Sequence, residues 1–505
     1  MFSENSRRSF TVIRHWLAST SAFSRPLSSK LRPLAVLMLA SCASVGPDYS
    51  APEPAAPATW QGAAAAKVTI AQTSPADLAN WWRQLGDSTL NELIERALQN
   101  SLNLRTAQAK LRESRARRAL AGANQFPTVS ASAAGSRTKA SAESGNGATL
   151  DLYSAGFDAS WEPDVFGGLR RNEEAAQADL DASEASLHDV QVSLVAEVAL
   201  NYVELRTFQA RLDIAKTNAA SQSETLNLTR WRAEAGLTTA LDVEQARSNL
   251  EQTRAQIPNL ETGRAEAEHR LEILLGQQPG SLGPMLADAA KIPQIPDRVI
   301  APIPADTLRQ RPDVRAAEHK LAAETARVGV AEAERYPSFT LSGSLGLEAL
   351  SLGALTGGDA VVRTLLGGIT APIFDAGRIR QQIEIQSAIQ EQAWVGYEST
   401  VLAALEEVEN ALATLANTRQ RQVNLQNATN AARLAALLAR HRYTAGVTDF
   451  QTVLDTERTV LSLEDALKSS EAEGVSALIQ LYKALGGGWS PMPANHIASA
   501  QAKSS

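Results

Sequence analysis

The sequence predicts an α+β membrane protein. Its β-barrel has twelve strands, closes only as a trimer with four strands per chain, and is continued by a long barrel of α-helical coiled coils. Three observations carry this. The chain repeats itself at an offset of 210 residues, short alternating strand patterns interrupt each repeat, and two runs of roughly 65 residues contain no proline.

The repeat is explicit. Arg230, Arg232, Ala235, Gly236 and Thr238 recur as Arg440, Arg442, Ala445, Gly446 and Thr448. The same offset turns Phe126 and Pro127 into Tyr336 and Pro337, Asn103 and Arg105 into Asp313 and Arg315, and Leu275 and Gly276 into Leu485 and Gly486. One architecture is built twice, over about 100–276 and 310–486.

The N-terminus reads as an export signal. Leu34 to Ala40 is an apolar run behind Arg25, Lys30 and Arg32, too short to span a membrane as a helix. Leu39, Ala40, Ser41 and Cys42 then match a lipobox, so residues 1–41 are expected to be removed and Cys42, the only cysteine, acylated. Ser6, Arg7, Arg8, Ser9 and Phe10 resemble a twin-arginine signal, but Arg14 and His15 interrupt the apolar run that should follow. Residues 42–87 form a lipid-anchored extended leader, with four prolines between Pro47 and Pro57.

Repeat 1 (88–276) opens with a helix whose apolar face carries Leu90, Leu93, Ile94, Ala97 and Leu98, ending near Phe126 because Pro127 follows. The period then switches to two. Val129, Ala131 and Ala133 alternate with Thr128, Ser130 and Ser132, and Tyr153, Ala155, Phe157, Ala159 and Trp161 alternate with Ser154, Asp158 and Ser160. These are strands at about 127–137 and 150–162, followed by a long helix at 168–233, a turn and a helix at 239–275. A linker, 277–305, leads to repeat 2 (306–486): a helix, strands at about 337–348 and 363–374, a long helix at 377–443, a turn and a helix at 449–485. Residues 487–505 are a C-terminal tail.

Strands of about ten residues with aromatic ends and a small, hydroxylated second face fit a membrane barrel around a water-filled lumen. Four strands cannot close, and an open sheet edge cannot sit in lipid, so the chain must oligomerise. Two copies would give a filled interior, whereas three leave room for a pore. Each long helix would span about 100 Å. Val401, Leu405, Val408, Leu412 and Leu415, and Thr456, Val460, Leu463, Leu467, Ser470 and Gly474, keep heptad spacing for antiparallel coiled-coil packing. At the turns, Gly236 and Gly446 end one helix in the left-handed conformation, and Thr238 and Thr448 are placed to cap the next, Thr448 with Gln451 as a capping box.

Composition excludes other classes. A net charge of −7 and a pI near 5.6 leave no basic face for nucleic acid. Six histidines show no metal-ligand spacing, and there is no nucleophile elbow or phosphate loop. No enzyme activity or cofactor is expected, only the covalent lipid on Cys42. A periplasmic coiled-coil adaptor is the structural alternative, but such proteins have one hairpin, and this chain has two hairpins and two strand pairs.

The residues from Cys42 to Tyr49, Trp81 and Trp82 before Leu85, Gly86 and Asp87, Arg311 to Arg315, the paired turns, and Tyr482 to Trp489 together resemble the TolC-like outer membrane factors. The likeness covers about 42–489 and is strongest to the lipoprotein branch of the OprM and NodT type. It implies a homotrimer in the outer membrane with a long periplasmic extension, serving as the exit duct of a tripartite efflux system or of a protein secretion system. The implied partners are a periplasmic adaptor and, through it, an inner-membrane transporter of the RND type. The resemblance further implies an iris-like periplasmic gate, with Asp455 and Tyr443 at aperture-ring positions. Adaptor contact falls on the tips: Gly236, Leu237, Thr238, Gly446, Val447 and Thr448, with Arg232 and Arg442 beside them. Some members carry a latching arginine where this chain has Thr448.

Overall fold

A computed structural model describes residues 44–53, 56–71, 78–287, 291–296 and 298–489. The expected signal peptide, Cys42 and the tail beyond Trp489 lie outside the described residues. The chain divides into two compact units, one of strands and one of helices.

The strand unit contains Pro127–Gly168 and Ala333–Pro372. Four antiparallel strands, β2 (Thr128–Lys139), β3 (Thr149–Trp161), β5 (Ser338–Ala349) and β6 (Val361–Thr370), form one sheet in the order β2-β3-β5-β6. Register sets the faces, because directly paired residues share a side. Ala131 pairs with Phe157, which pairs with Leu345, so the apolar positions form one continuous face. One residue along, Ser130, Asp158, Ser344 and Thr364 line up across all four strands on the other. Among the described residues, β2 and β6 are left as open edges. The last strand was expected to reach Phe374, but it stops at Thr370. Pro372 has no N–H for the ladder, and Ile373 and Phe374 beyond it are 93% and 90% exposed.

In the helical unit, the first helix of each repeat is broken, where the sequence suggested one helix. Repeat 1 has α1 (Ser88–Asn100) and α2 (Leu102–Ala123), and repeat 2 has α5 (Pro304–Gln310) and α6 (Pro312–Ala333). Arg311 is forced to an extended conformation by the proline after it. Ser101, its counterpart, is likewise extended in ψ, although no proline follows. Each break receives the glycine that ends its own repeat. A Cβ on Gly276 would lie 2.6 Å from the Asn100 carbonyl oxygen, and one on Gly486 would lie 3.3 Å from the Arg311 Cα. Both glycines also have positive φ, 69° and 73°.

The long helices are α3 (Gly168–Glu234) and α7 (Arg378–Thr444), each of 67 residues. Each is followed by a returning helix of 35 residues, α4 (Ala240–Leu274) or α8 (Phe450–Ala484). At about 1.5 Å per residue the long helices span roughly 100 Å. On α7, Val401, Val408, Leu412 and Leu415 are buried as the heptad required. Small residues let the helices close up: a Cβ on Gly263 would meet the Phe208 ring at 2.5 Å, and one on Gly474 would meet Gln422 at 2.7 Å.

The largest core lies where both repeats meet the leader. Trp81 stacks on Tyr482 at 5.2 Å, Tyr202 donates to Asp87 at 2.7 Å, and Leu93, Leu271 and Leu478 fill the space between. The leader is not merely a tether. Trp60 is buried and donates to the Pro302 carbonyl at 2.9 Å, the Glu409 carboxylate accepts from the backbone N–H groups of Gln61 and Gly62, and β1 (Val68–Ile70) pairs in parallel with β4 (Val299–Ala301). Apolar side chains at 60, 63, 66 and 68 account for this; the proline-rich part of the leader precedes them.

Candidate functional site at the hairpin ends

Both turns close by the same chemistry. Gly236 and Gly446 have φ of 73°, Leu237 N donates to Arg232 O at 2.8 Å, and Val447 N donates to Arg442 O at 2.9 Å. This is a Schellman closure, which satisfies carbonyls that a helix end leaves free. Among the described residues, no atom beyond their own chain neighbours lies within 4 Å of where either Cβ would be, so these glycines serve backbone conformation and not close packing.

The caps fall one residue later than the sequence suggested. Thr239, not Thr238, is the N-cap of α4 and forms a capping box with Asp242. Asp449, not Thr448, caps α8 by accepting from Thr452 N at 2.9 Å, and Gln451 instead donates to Asp455. The Schellman turn uses one more residue than the simple left-handed stop, which shifts each cap along. Partial burial opposes ionisation of Asp242, but hydrogen bonds from Thr238 and Thr239 outweigh it and hold the carboxyl below the usual range.

The tips are apolar and open. Leu237 is 65% exposed and Val447 64%, and Trp231 and Leu241, close to the first turn in sequence, are exposed apolar side chains beyond the residues expected there. Arg442 is exposed, while Arg232 turns inward. Its guanidinium lies 4.7 Å from the Tyr443 ring centroid, and Nη1 donates to the Thr444 carbonyl at 3.0 Å. Arg232 therefore ties the first hairpin to the second.

Of the two expected gate residues, Tyr443 is buried in the chain's own bundle, 5.3 Å from the Phe450 ring, and its hydroxyl has no partner among the described residues. Asp455 is exposed on α8 and accepts from Gln451 Nε2 at 2.9 Å. They lie on adjacent helices of one hairpin, with no hydrogen bond between them among the described residues.

Sequence reasoning missed a polar ladder between the hairpins. Arg211 makes a two-pronged pair with Asp465 at 2.6 and 3.1 Å, Asn218 donates to Glu464 at 2.9 Å, and Thr225 donates to Glu457 at 2.7 Å. With Arg232 these positions are spaced by seven along α3, a heptad of polar residues. The spacing of seven is the one signal of it in the sequence, and that spacing does not name the partner helix. Burial pushes the Glu457 carboxyl up, against the opposing pull of Thr225 and Arg440.

In the strand unit, Thr128, Ser130, Asp158, Ser160, Ser342 and Ser344 line a shallow groove of about 340 Å³ on the polar face. It is hydroxyl-rich and holds a single carboxylate. Such a wall offers water-like contacts to anything passing and no enclosed pocket.

A paired sheet with two open edges, a hydroxylated face and two long hairpins define a membrane conduit. The family model described as outer membrane efflux protein matches residues 93–277 and 303–487, one match per repeat. The pyoverdine export outer membrane protein OpmQ of Pseudomonas putida is 34% identical over 468 residues, covering 91% of this chain and 97% of that protein. Nodulation protein T of Rhizobium leguminosarum is 31% identical over 484 residues, covering 92% and 96%. Among solved structures, the outer-membrane channel OprN has a TM-score of 0.84 at 37% identity, covering 89% of this chain and all of that one. The open-state MtrE channel of Neisseria gonorrhoeae has a TM-score of 0.78 at 29% identity, with 89% and 99% covered. The chain belongs to the outer membrane efflux protein family. It has the family's fold, a β-barrel with four strands from each chain together with an α-helical barrel, and works as an outer-membrane exit duct of an efflux system, not as an enzyme.

Proposed function

We propose that three copies close a twelve-stranded barrel and pass small toxic molecules outward from a periplasmic adaptor and an inner-membrane transporter of the RND type. The observation that carries this is the four-stranded sheet with one apolar face, one hydroxylated face and two unpaired edges. Unpaired backbone groups in lipid cost several kcal/mol each, so the edges must be closed by further copies, and twelve strands leave a lumen where eight would not. The relative named for pyoverdine export supports small molecules as cargo.

The exposed tips, Leu237 and Val447, with Trp231 and Leu241 close to the first turn in sequence, are the surface we assign to the adaptor, together with the turn residues and Arg442. Asp455, exposed on α8, would form a carboxylate ring with its two symmetry mates and favour cations in a narrow aperture. Tyr443 acts one step back, as the surface on which Arg232 holds the second hairpin to the first. Adaptor contact then favours separated hairpins over closed ones, a population shift driven by differential binding. Export through a signal peptide and acylation at Cys42 complete the reading. Purified protein should form heat-modifiable trimers that conduct in planar bilayers and restore drug resistance to a strain lacking its own exit duct. A protein that stays monomeric and silent would overturn it.

A further inference from the structure

The apolar face of the sheet is charged at one end only. Odd-numbered positions carry no charge from Val129 to Gly135, from Tyr153 to Trp161 or from Phe339 to Ala349. Charges begin toward the strand ends joined by loops 140–148 and 350–360: Arg137 and Lys139 on β2, Asp151 on β3 and Arg363 on β6. Arg137 contacts Asp151 at 3.5 Å, while the side chains of Lys139 and Arg363 have no ion-pair or hydrogen-bond partner among the described residues. Arg363 shares its face with the exposed side chains of Val361, Leu365 and, across the ladder, Leu345. A cation so placed on a lipid-facing strand is costly unless an anion meets it near the interface.

Barrel closure sharpens the point. β2 and β6 are the two open edges, so β6 of one copy must lie beside β2 of the next. β2 contains no Asp or Glu. That seam therefore brings Arg363 into the company of Arg137 and Lys139, and β2 supplies no carboxylate to answer them. The opposite strand ends lead to the helices, which places the cationic end toward the outer leaflet. Guanidinium forks and an ammonium suit phosphate oxygens.

We propose that each seam between copies binds the phosphates of an anionic glycolipid of the outer leaflet, through Arg363 on one side and Arg137 and Lys139 on the other. This rests on the trimeric-barrel reading. The test uses the full-length protein in phosphatidylethanolamine vesicles, alone, with bis-phosphorylated lipid A, with dephosphorylated lipid A, or with inorganic phosphate in the buffer. Lipid retained after extraction is measured by native mass spectrometry, and trimer dissociation temperature by gel mobility. Bis-phosphorylated lipid A should be retained and should raise that temperature, whereas the dephosphorylated lipid and free phosphate should do neither. Arg363→Gln and Lys139→Gln should each weaken retention roughly fivefold, with Arg363→Lys in between. Variant trimers in phosphatidylethanolamine alone should dissociate at the wild-type temperature. Equal retention by the variants, or of the dephosphorylated lipid, overturns the surface alone. A wild-type chain that forms no trimer in any lipid overturns the barrel, and this surface with it.

Discussion

Arg232 of the first hairpin lies over the ring of Tyr443 on the second, 4.7 Å from its centroid, and donates to the carbonyl of the next residue, Thr444. A cation on an aromatic face is worth about 0.5–1 kcal/mol when exposed and more when desolvated. This one is sheltered, since Tyr443 is 3% exposed. Arg232→Gln should therefore loosen the hairpins and raise resting conductance in planar bilayers. Unchanged conductance would remove this contact from the gate.

The Tyr443 hydroxyl makes a contrasting prediction. It is buried without a partner among the described residues, so it contributes desolvation cost and no hydrogen bond. Tyr443→Phe should leave conductance unchanged and hairpin stability equal or slightly higher. Tyr443→Ala should open a cavity costing about 3–5 kcal/mol, read as faster hydrogen exchange over 439–454. A phenylalanine variant that conducts like Arg232→Gln would mean that the hydroxyl acts across a subunit boundary.

Asp455 is the aperture candidate. Three like charges in a narrow ring repel one another and favour cations. Asp455→Ala should raise resting conductance and lower cation selectivity, measured as reversal potential in a salt gradient. Conductance and selectivity that match the wild type at neutral and acidic pH would discard the ring.

Glu457 gives the hairpin contact a pH dependence of definite sign. Burial raises its folded-state pKa, so between the unfolded and folded values the native state binds more proton than the unfolded one, and stability falls as pH rises. Protonation thus favours the closed pair. Asp242, held below the usual range, acts oppositely: its contribution is full above the unfolded carboxyl pKa and is lost as pH falls through the folded one. Glu457→Gln should abolish the rise in inter-hairpin protection on mild acidification, measured by hydrogen exchange at 222–232. An undiminished rise in the variant would assign it to another group.

The turn glycines should be sensitive through conformation alone. Gly446→Ala meets no neighbour but must hold a positive φ, at a cost of about 1–2 kcal/mol. Local exchange around 442–450 should quicken while trimer yield is unaffected. Gly156→Ala fails for a different reason, because its Cβ would lie 2.8 Å from the Gly346 Cα, and barrel assembly should suffer.

Periodicity made the helices and strands legible, because each has one face that must avoid water. Val401 to Leu415 and Val129 to Ala133 are examples. The doubled Gly236 and Gly446 were legible because left-handed backbone singles out glycine. Two kinds of feature were not. The extended backbone at Ser101 is set by contacts across the fold, with nothing local to announce it. The ladder of Arg211, Asn218 and Thr225 depends on which helix faces α3, and polar residues on a long helix read equally well as a solvated face.

The glycines at the two repeat ends have a topological consequence. Gly276 closes on Asn100 and Gly486 on Arg311, so each half of the chain finishes where it started. A segment whose ends meet can be reconnected. The Gly488 N–H also donates to the Leu78 carbonyl at 3.0 Å, so the end of the second half lies beside the entry to the first, and circularly permuted chains joined there that begin within 277–287 should still assemble, the two halves serving as near-equivalent loops.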